Sequence, residues 1–436
     1  MITSSCIISK GKGVNKTSLP IFWRWSVIMI KNSREIQQII EEEGIIIYFQ
    51  PIISTYQDRV AGVEALVRGI DINGDLISPL DLFAMAREED KVIQLDRLCQ
   101  KKAIESFAKQ TAQQENLILF LNVDNSVIHL DTNTNAIYDY CHRWDVSPSN
   151  VVLEINELQT SDISAMLKFV NKYREKGFMI SIDDIGAGYS NLDRLILLKP
   201  DIIKIDRKLI QDIHQHYYKQ QVVDMIIKLA EKIGALVVAE GVEQLEEILK
   251  VLKFGAQLLQ GYYIARPMDL ENNCLREVEE TIGSISEAQK KYLSTHLLSK
   301  CRFNLKLRER FDEFNERLKA SDGPSSGQIL KEILLDFPEV ECAYIIDEEG
   351  IQVTDTVFNE ALSLIHRKSL FSPYKKGADA KLKAYYYVLK TTNQPRYVSE
   401  GYLSLATGHQ CITISGDSLI GHKKVILCMD IISQGL

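Results

Sequence analysis

Seven side chains stand out because each closes a short β-branched run: Glu64, Asn122, Glu154, the adjacent Asp183 and Asp184, Lys204 and Glu240. If those runs are parallel strands, their carboxyl ends share one rim, and the seven groups converge there. Crowding five carboxylates is strongly unfavourable unless cations neutralise them. Carboxylates with one amide oxygen, and no His or Cys among them, suit Mg²⁺ or Mn²⁺ rather than zinc or iron. The neighbouring Asp183 and Asp184 would allow one carboxylate to bridge two metals about 3.5–4 Å apart, as in phosphoryl-transfer sites. Taken singly, each residue has a plainer reading: a strand-end Glu partners a helix N-terminus, and Lys204 neutralises an Asp. The recurrence of the same placement on six strands argues for one site.

The elements that must position these groups are legible between residues 45 and 266. Strand-like runs fall at 45–50, 62–67, 117–123, 151–155, 179–184, 201–206, 236–240 and 257–263. Their continuous apolar character marks a sheet covered on both faces. Amphipathic stretches at 80–109, 161–176, 219–233 and 245–253 predict helices between them, and Gly177, Gly234 and Gly255 sit where C-terminal caps belong. Eight strands in about 220 residues predict an α/β fold of the (β/α)8 barrel class. An open doubly wound sheet is the rival, but no Gly-rich phosphate loop opens a helix.

Beyond the barrel, 284–320 reads as a long polar helix with an apolar stripe at Leu307, Phe311, Phe314 and Leu318, packing on its own domain or serving a dimer or a signal. Ser321–Gly327 breaks the chain, and a smaller α+β region follows at 328–436. There, 342–347 and 351–356 predict a hairpin, and 384–390, 397–406, 410–415 and 423–431 predict strands. The tyrosines 385–387 read as a half-buried strand and His409 as a solvated loop residue. No acid cluster or nucleophile motif assigns this region any chemistry. His214 and His216, two apart, cannot face one site on a helix.

The whole chain has 436 residues, 45% hydrophobic and 25% charged, with a net charge of −8. That acidity argues against a nucleic-acid partner. The eight cysteines form no CxxC pair and read as free thiols of a reducing compartment. The apolar stretch 19–30 is interrupted by Arg24 and too short to span a bilayer, so residues 1–30 read as an extraneous tail, with Met29 an alternative start. A cytoplasmic protein with no membrane partner is expected.

Gln50-Pro51-Ile52, Glu64-Ala65-Leu66-Val67-Arg68, Leu121-Asn122-Val123, Leu153-Glu154-Ile155-Asn156-Glu157, Asp183-Asp184-Ile185-Gly186-Ala187-Gly188-Tyr189-Ser190, Lys204-Ile205-Asp206, Ala239-Glu240-Gly241-Val242-Glu243 and Gln260-Gly261-Tyr262 resemble, in order, the motifs of the EAL-domain family of cyclic-di-GMP phosphodiesterases. The resemblance spans about residues 40–268, within a domain placed at 31–280. It implies a modified TIM barrel that opens cyclic di-GMP to linear pGpG with Mg²⁺ or Mn²⁺. Glu64, Asn122, Glu154 and Asp183 would then ligate one metal, and Asp183, Asp184 and Glu240 the other. Lys204 would hold or deprotonate the attacking water, Gln260 would orient the network, and Glu157 would steady the loop after Asp183. Gln50, Leu66 and Arg68 would contact substrate, with Asp206 and Glu243 shaping the pocket. Ile185, Gly69, Arg266, Asp124 and Asn156 depart from the family's usual residues, but no implied metal ligand is lost.

The C-terminal region resembles, more faintly, the PAS/Cache-like domain of YkuI-type two-domain proteins. Such a domain would answer a small-molecule or protein signal, and the family resemblance implies a homodimer. Two functions follow: a metal-dependent phosphodiesterase regulated by its C-terminal domain, or a receptor that holds the dinucleotide uncut and signals through the linker helix. The complete acidic set with Lys204 favours the enzyme.

Overall fold

The computed structural model describes residues 36–111, 116–128, 134–156, 162–186, 192–270, 274–321, 325–360, 372–404 and 407–432. The chain divides into two compact units, Met1–Leu293 and Ser294–Leu436. The expected tail at 1–30 and Glu157 lie outside the described residues.

The first unit is a closed barrel. Its strands are β1 (Ile45–Ser54), β2 (Arg59–Ile70), β3 (Leu76–Ile77), β4 (Ile118–Val123), β5 (Val151–Asn156), β6 (Met179–Ile185), β7 (Ile202–Ile205), β8 (Leu236–Ala239) and β9 (Leu258–Leu259). They run in the order β1-β9-β8-β7-β6-β5-β4-β2-β3, and β1 also pairs with β2 to close the ring. The two-residue β3 is an appendage to β2, which leaves eight staves. Adjacent strands from β2 through β4–β9 pair in parallel, whereas β1 runs antiparallel to both its neighbours. The predicted barrel is thus modified at its first strand, and the short connection 55–58 between β1 and β2 requires it, because parallel neighbours need a crossover of a dozen residues.

Side-chain alternation splits the interior into two apolar layers. Ile52, Ala61, Phe120, Val152, Ile202, Val238 and Leu258 pack together as one buried cluster. Leu119, Leu121, Leu153, Ile180, Ile182, Ile203 and Val237 join the larger one with the surrounding helices. Runs that must be apolar on both faces explain why the strands were so legible. The expected helix over 80–109 is two helices, Pro79–Glu88 and Val92–Thr111, separated at Asp90, whose φ is 54°. The last expected strand, 257–263, contracts to Leu258–Leu259, and the chain turns at Gly261. A Cβ on Gly261 would lie 2.2 Å from the Val242 carbonyl oxygen, so only glycine permits this approach.

A helix spans Cys274–Lys319, ten residues longer at its start than its polar stretch predicts. Its early turns place Leu275, Val278, Ile282 and Ile285 in the barrel's apolar cluster. Its late turns place Leu307, Phe311, Phe314 and Leu318 in the second unit's core, so the stripe packs on that domain. The second unit holds an antiparallel sheet, β11-β10-β15-β14-β12, with β13 also beside β14. Its strands are β10 (Val340–Ile346), β11 (Val357–Phe358), β12 (Arg396–Val398), β13 (Tyr402–Leu403), β14 (Gln410–Ile420) and β15 (Lys423–Ile432).

Four expectations fail here, the first being one strand over 397–406, where only Arg396–Val398 and Tyr402–Leu403 are strands. Residues 384–390 are not a strand but part of the helix Ala384–Thr392, ended by Asn393 in a left-handed conformation. A tyrosine run has strand propensity, but Leu389 and Tyr385 bury on one helical face, and packing overrides propensity. Residues 351–356 make only isolated bridges, with strand pairing resuming at β11. His409 is not a solvated loop residue: its ring pairs with the fully buried Glu341.

Phe314 is fully buried, with its ring 5.0 Å from that of Phe337 in an edge-on arrangement. Phe314→Ala is expected to destabilise the second unit by about 3–5 kcal/mol in chemical denaturation. A loss below about 1 kcal/mol would show that this core collapses around the void.

Candidate functional site

Glu64 from β2, Asn122 from β4, Glu154 from β5, Asp183 and Asp184 from β6, Lys204 from β7, and Glu240 directly after β8 meet at one end of the barrel. Lys204 is fully buried at their centre. Its ammonium lies 2.6 Å from Glu154 Oε1 and 2.6 Å from Glu240 Oε1. Glu64 Oε2 is 3.3 Å away and Asp183 Oδ1 3.6 Å.

Adjacent residues of a regular strand point to opposite faces, yet Asp183 and Asp184 both reach this cluster. The reason is a register shift between Ile182 and Ile185 in the β6–β7 ladder, with Asp184 left-handed at φ 60°. Such a bulge re-aims a side chain, and aspartate tolerates the left-handed region better than most residues. One carboxylate oxygen from each of Asp183, Asp184 and Glu240 falls within 4.8 Å of the others, a spacing that can hold a cation.

A line of amides fixes the other flank. Gln260 Nε2 donates to Glu64 Oε2 at 2.6 Å and to Gln50 Oε1 at 3.2 Å. Gln50 Nε2 donates to the Ala265 carbonyl at 3.1 Å, and Asn122 Nδ2 to Glu64 Oε1 at 2.9 Å. Although β1 runs backwards, Gln50 joins the site because it lies opposite Glu64 in the β1–β2 register.

The electrostatics are unbalanced. Five carboxylates surround one ammonium; fully ionised, they leave four negative charges, the deficit two divalent cations would fill. Burial holds Glu154 well above the usual carboxylate range, with the Glu64 charge adding to it. Burial raises Glu240 in the same way, against the pull of Lys204. Burial also raises Asp184, with Asp183 and Asp206 adding like charge. Glu64 is held low: burial would raise it, but Lys204 and the Gln260 and Asn122 hydrogen bonds outweigh that. Burial would lower Lys204, but the surrounding carboxylates keep it firmly protonated. Among the described residues, Glu154 Oε2 is buried with no hydrogen-bond donor, and buried Asp183 Oδ1 has only the Lys204 ammonium, beyond hydrogen-bond distance at 3.6 Å. Unsatisfied carboxylate oxygens beside a charge deficit fit a divalent cation.

Two cavities flank Glu64. One, of about 350 Å³, is lined by Glu64, Leu66, Asn122, Phe83 and Asp96 among others. The other, of about 200 Å³, is lined by Gln50, Glu64, Glu240, Glu243, Gln260 and Tyr262 among others. Leu66 and Glu243 therefore stand where a bound molecule would reach them. Arg68 lines neither; its guanidinium donates to the Val67 carbonyl at 2.7 Å. Asp206 caps the helix Arg207–Ile210 by accepting from Lys208 N at 3.0 Å.

The departures noted in the sequence find partners. Asn156 donates to Asp184, Asp124 pairs with Arg87 at 3.1 Å, and Arg266 stacks over Tyr262 at 4.5 Å. Ile185 is buried, and a Cβ on Gly69 would meet Leu82 at 2.9 Å. Sequence reasoning missed Arg207, which pairs with Glu243 at 2.9 Å, and Asp96, buried beneath the larger cavity. Both lie on helices, where a charged residue reads as surface, so no strand-end signal marked them.

The fold and the site together define an α/β barrel with an acidic rim gathered about one buried lysine. The EAL-domain profile matches residues 33–267, over half of the 436 residues, and the chain belongs to that family. Among its relatives is a probable cyclic di-GMP phosphodiesterase, PdeB of Escherichia coli strain K12. It is 27% identical over 237 residues, which are 54% of this chain and 45% of that one. The chain thus spans less than half of PdeB's length. The EAL-domain-containing protein YkuI of Bacillus subtilis strain 168 is 27% identical over 329 residues, 73% of this chain and 78% of that one. The crystal structure of Bacillus subtilis YkuI in complex with c-di-GMP and calcium matches with a TM-score of 0.72 at 23% identity, covering 92% of this chain and all of that one. At that identity the likeness is one of fold. Among the described residues, no helix is long and apolar enough to cross a membrane.

Because burial raises the Glu154 carboxyl in the metal-free fold, stability of that state should fall as pH rises above the ordinary carboxyl value of 4.5. Melting curves in EDTA between about pH 5 and 8 are expected to show this decline, and Glu154→Gln to flatten it. An unchanged slope in the variant would put the proton elsewhere.

Proposed function

We propose that the barrel hydrolyses cyclic di-GMP to linear pGpG with Mg²⁺ or Mn²⁺. The observation that carries this reading is the rim itself: five carboxylates share one buried ammonium, and buried Glu154 Oε2 has no donor among the described residues. The names of the relatives supply the substrate class.

Glu64, Asn122, Glu154 and Asp183 would hold one cation, and Asp183, Asp184 and Glu240 the second. Bound there, two cations would acidify a shared water, neutralise the phosphodiester and stabilise the leaving oxygen. The water oxygen bonds to phosphorus, one P–O3′ bond breaks, and the 3′ oxygen leaves with a proton. Lys204 is gripped as an ammonium by Glu154 and Glu240, so it donates a hydrogen bond to the water and holds it in line. Gln260 fixes the Glu64 carboxylate through its 2.6 Å bond, and Gln50 in turn steadies Gln260. Leu66 and Glu243 would contact substrate from the two cavities, with Gln50 beside Glu243. Arg68 would reach substrate by releasing its own strand's carbonyl. Asp206 supports the rim through the Arg207–Ile210 helix, and Glu157 is assigned to the loop after Asp183 on the resemblance alone.

We infer further that the C-terminal unit is a PAS/Cache-like regulator and that the protein works as a homodimer. Sedimentation of the purified chain checks the second point; a monomer at all concentrations would discard it.

Purified protein, incubated with cyclic di-GMP and Mg²⁺ or Mn²⁺, is expected to yield pGpG by chromatography. Binding without turnover in both metals would turn the reading to that of a receptor. Glu64→Ala is expected to lower turnover by roughly 10³-fold or more, as loss of a group in a preorganised site does. Wild-type turnover in that variant would show the metal site misplaced.

A further inference from the structure

The second unit's sheet has one face packed on Phe311, Phe314, Leu330 and Ile333, using Leu427, Met429 and Ile414. Strand alternation turns Ile426, Cys428 and Asp430 of β15 to the other face. There Asp430 pairs in register with Cys342 on β10 and Thr413 on β14. An aspartate therefore stands in mid-sheet, 4% exposed, where strand patterning calls for an apolar residue.

Above it lies a cavity of about 580 Å³ whose lining includes Tyr344, Tyr374, Tyr385, Tyr397, Tyr402 and Asp430. That volume is within the range of small-ligand pockets, and five aromatic walls with one charged floor are an unusual composition for a packing defect. The carboxylate accepts from Thr413 Oγ1 at 2.7 Å and from Cys342 Sγ at 3.4 Å. Among the described residues, no Lys, Arg or His nitrogen lies within 4.0 Å of it. Neutral donors lessen the cost of burying the charge, but among the described residues no cationic side chain pairs with it. The tyrosine faces already receive an ammonium at the rim: Lys383 Nζ sits 5.0 Å from the Tyr374 ring centre. Glu400, also in the lining, offsets that lysine, so the described lining carries a net negative charge.

We propose that this cavity binds a small organic ammonium ion, its cationic head over the tyrosine faces and directed at Asp430. Tyrosine quadrupoles attract such a head, and desolvation inside the cavity strengthens the attraction. Burial lifts the Asp430 carboxyl to about 6, against hydrogen bonds from Thr413, Cys342 and Tyr402, and a cationic head beside it would favour the ionised form. The proposal is independent of the phosphodiester reading, since it concerns the other unit.

Calorimetric titration of the full-length protein tests it with choline, with butylammonium and with 3,3-dimethylbutan-1-ol, the uncharged isostere of choline. At least one ammonium compound is expected to saturate one site per chain, with the alcohol at least about tenfold weaker. Choline the tighter would mark a methylated head, butylammonium the tighter a primary amine. Asp430→Asn, which keeps an acceptor for Thr413, is expected to weaken binding at least about tenfold, and Tyr385→Leu to weaken it as well. No saturation by either cation at about 50 mM would overturn the proposal, as would an alcohol that binds as well as choline. If Asp430→Asn fails to fold, the comparison of choline with its isostere on the unaltered protein still decides. Heat of binding is read without turnover, so an inactive barrel leaves the result intact.

Discussion

Charge that cannot be left alone organises the barrel. Lys204 is completely buried, an environment ammonium groups avoid unless paired, and four carboxylates face it, three from β2, β5 and β6 and one from the residue after β8. Each partner justifies the others: without Lys204 the acids repel, and without the acids Lys204 would lose its proton. Yet the set does not neutralise itself. A cluster that is stable enough to form and still short of positive charge is a good cation receptor, since its members are already in place before anything binds.

Backbone irregularities aim these groups. A perfect (β/α)8 barrel would send Asp183 and Asp184 to opposite faces. The bulge in β6 brings both to the rim, and the register of β1 against β2 sets mid-strand Gln50 opposite Glu64. The Gly261 turn serves the same end, letting Gln260 approach Glu64 while the chain passes against the backbone of Val242.

The sequence revealed the barrel and the rim because buried parallel strands are apolar throughout, so a terminal carboxylate is conspicuous against them. It was less informative wherever geometry depends on partners distant in the chain. Nothing local marks Asp184 as left-handed, or Arg207 as the partner of Glu243. In the second unit the reading failed for a related reason: Tyr385 to Tyr387 favour a strand by type, but their helix is set by the sheet on which Leu389 and Tyr385 pack. Asp430 was overlooked because a lone acid in an apolar run resembles a strand end until the register shows it in mid-sheet.

Closure of the ring between β1 and β9 also fixes when this protein can be finished during synthesis. Phe49 exchanges backbone hydrogen bonds with Met268, and Ile53 pairs with Leu259. The first stave therefore waits for the last, and the ring stays open until the ribosome has released the residues around 268. Until then β1 can pair only with β2, as a hairpin with one bare edge, a template for wrong pairing in a nascent chain. Ordering of Gln50 and Gln260 is consequently a late event in the chain's birth, and slow translation through the intervening helices would lengthen the exposed interval.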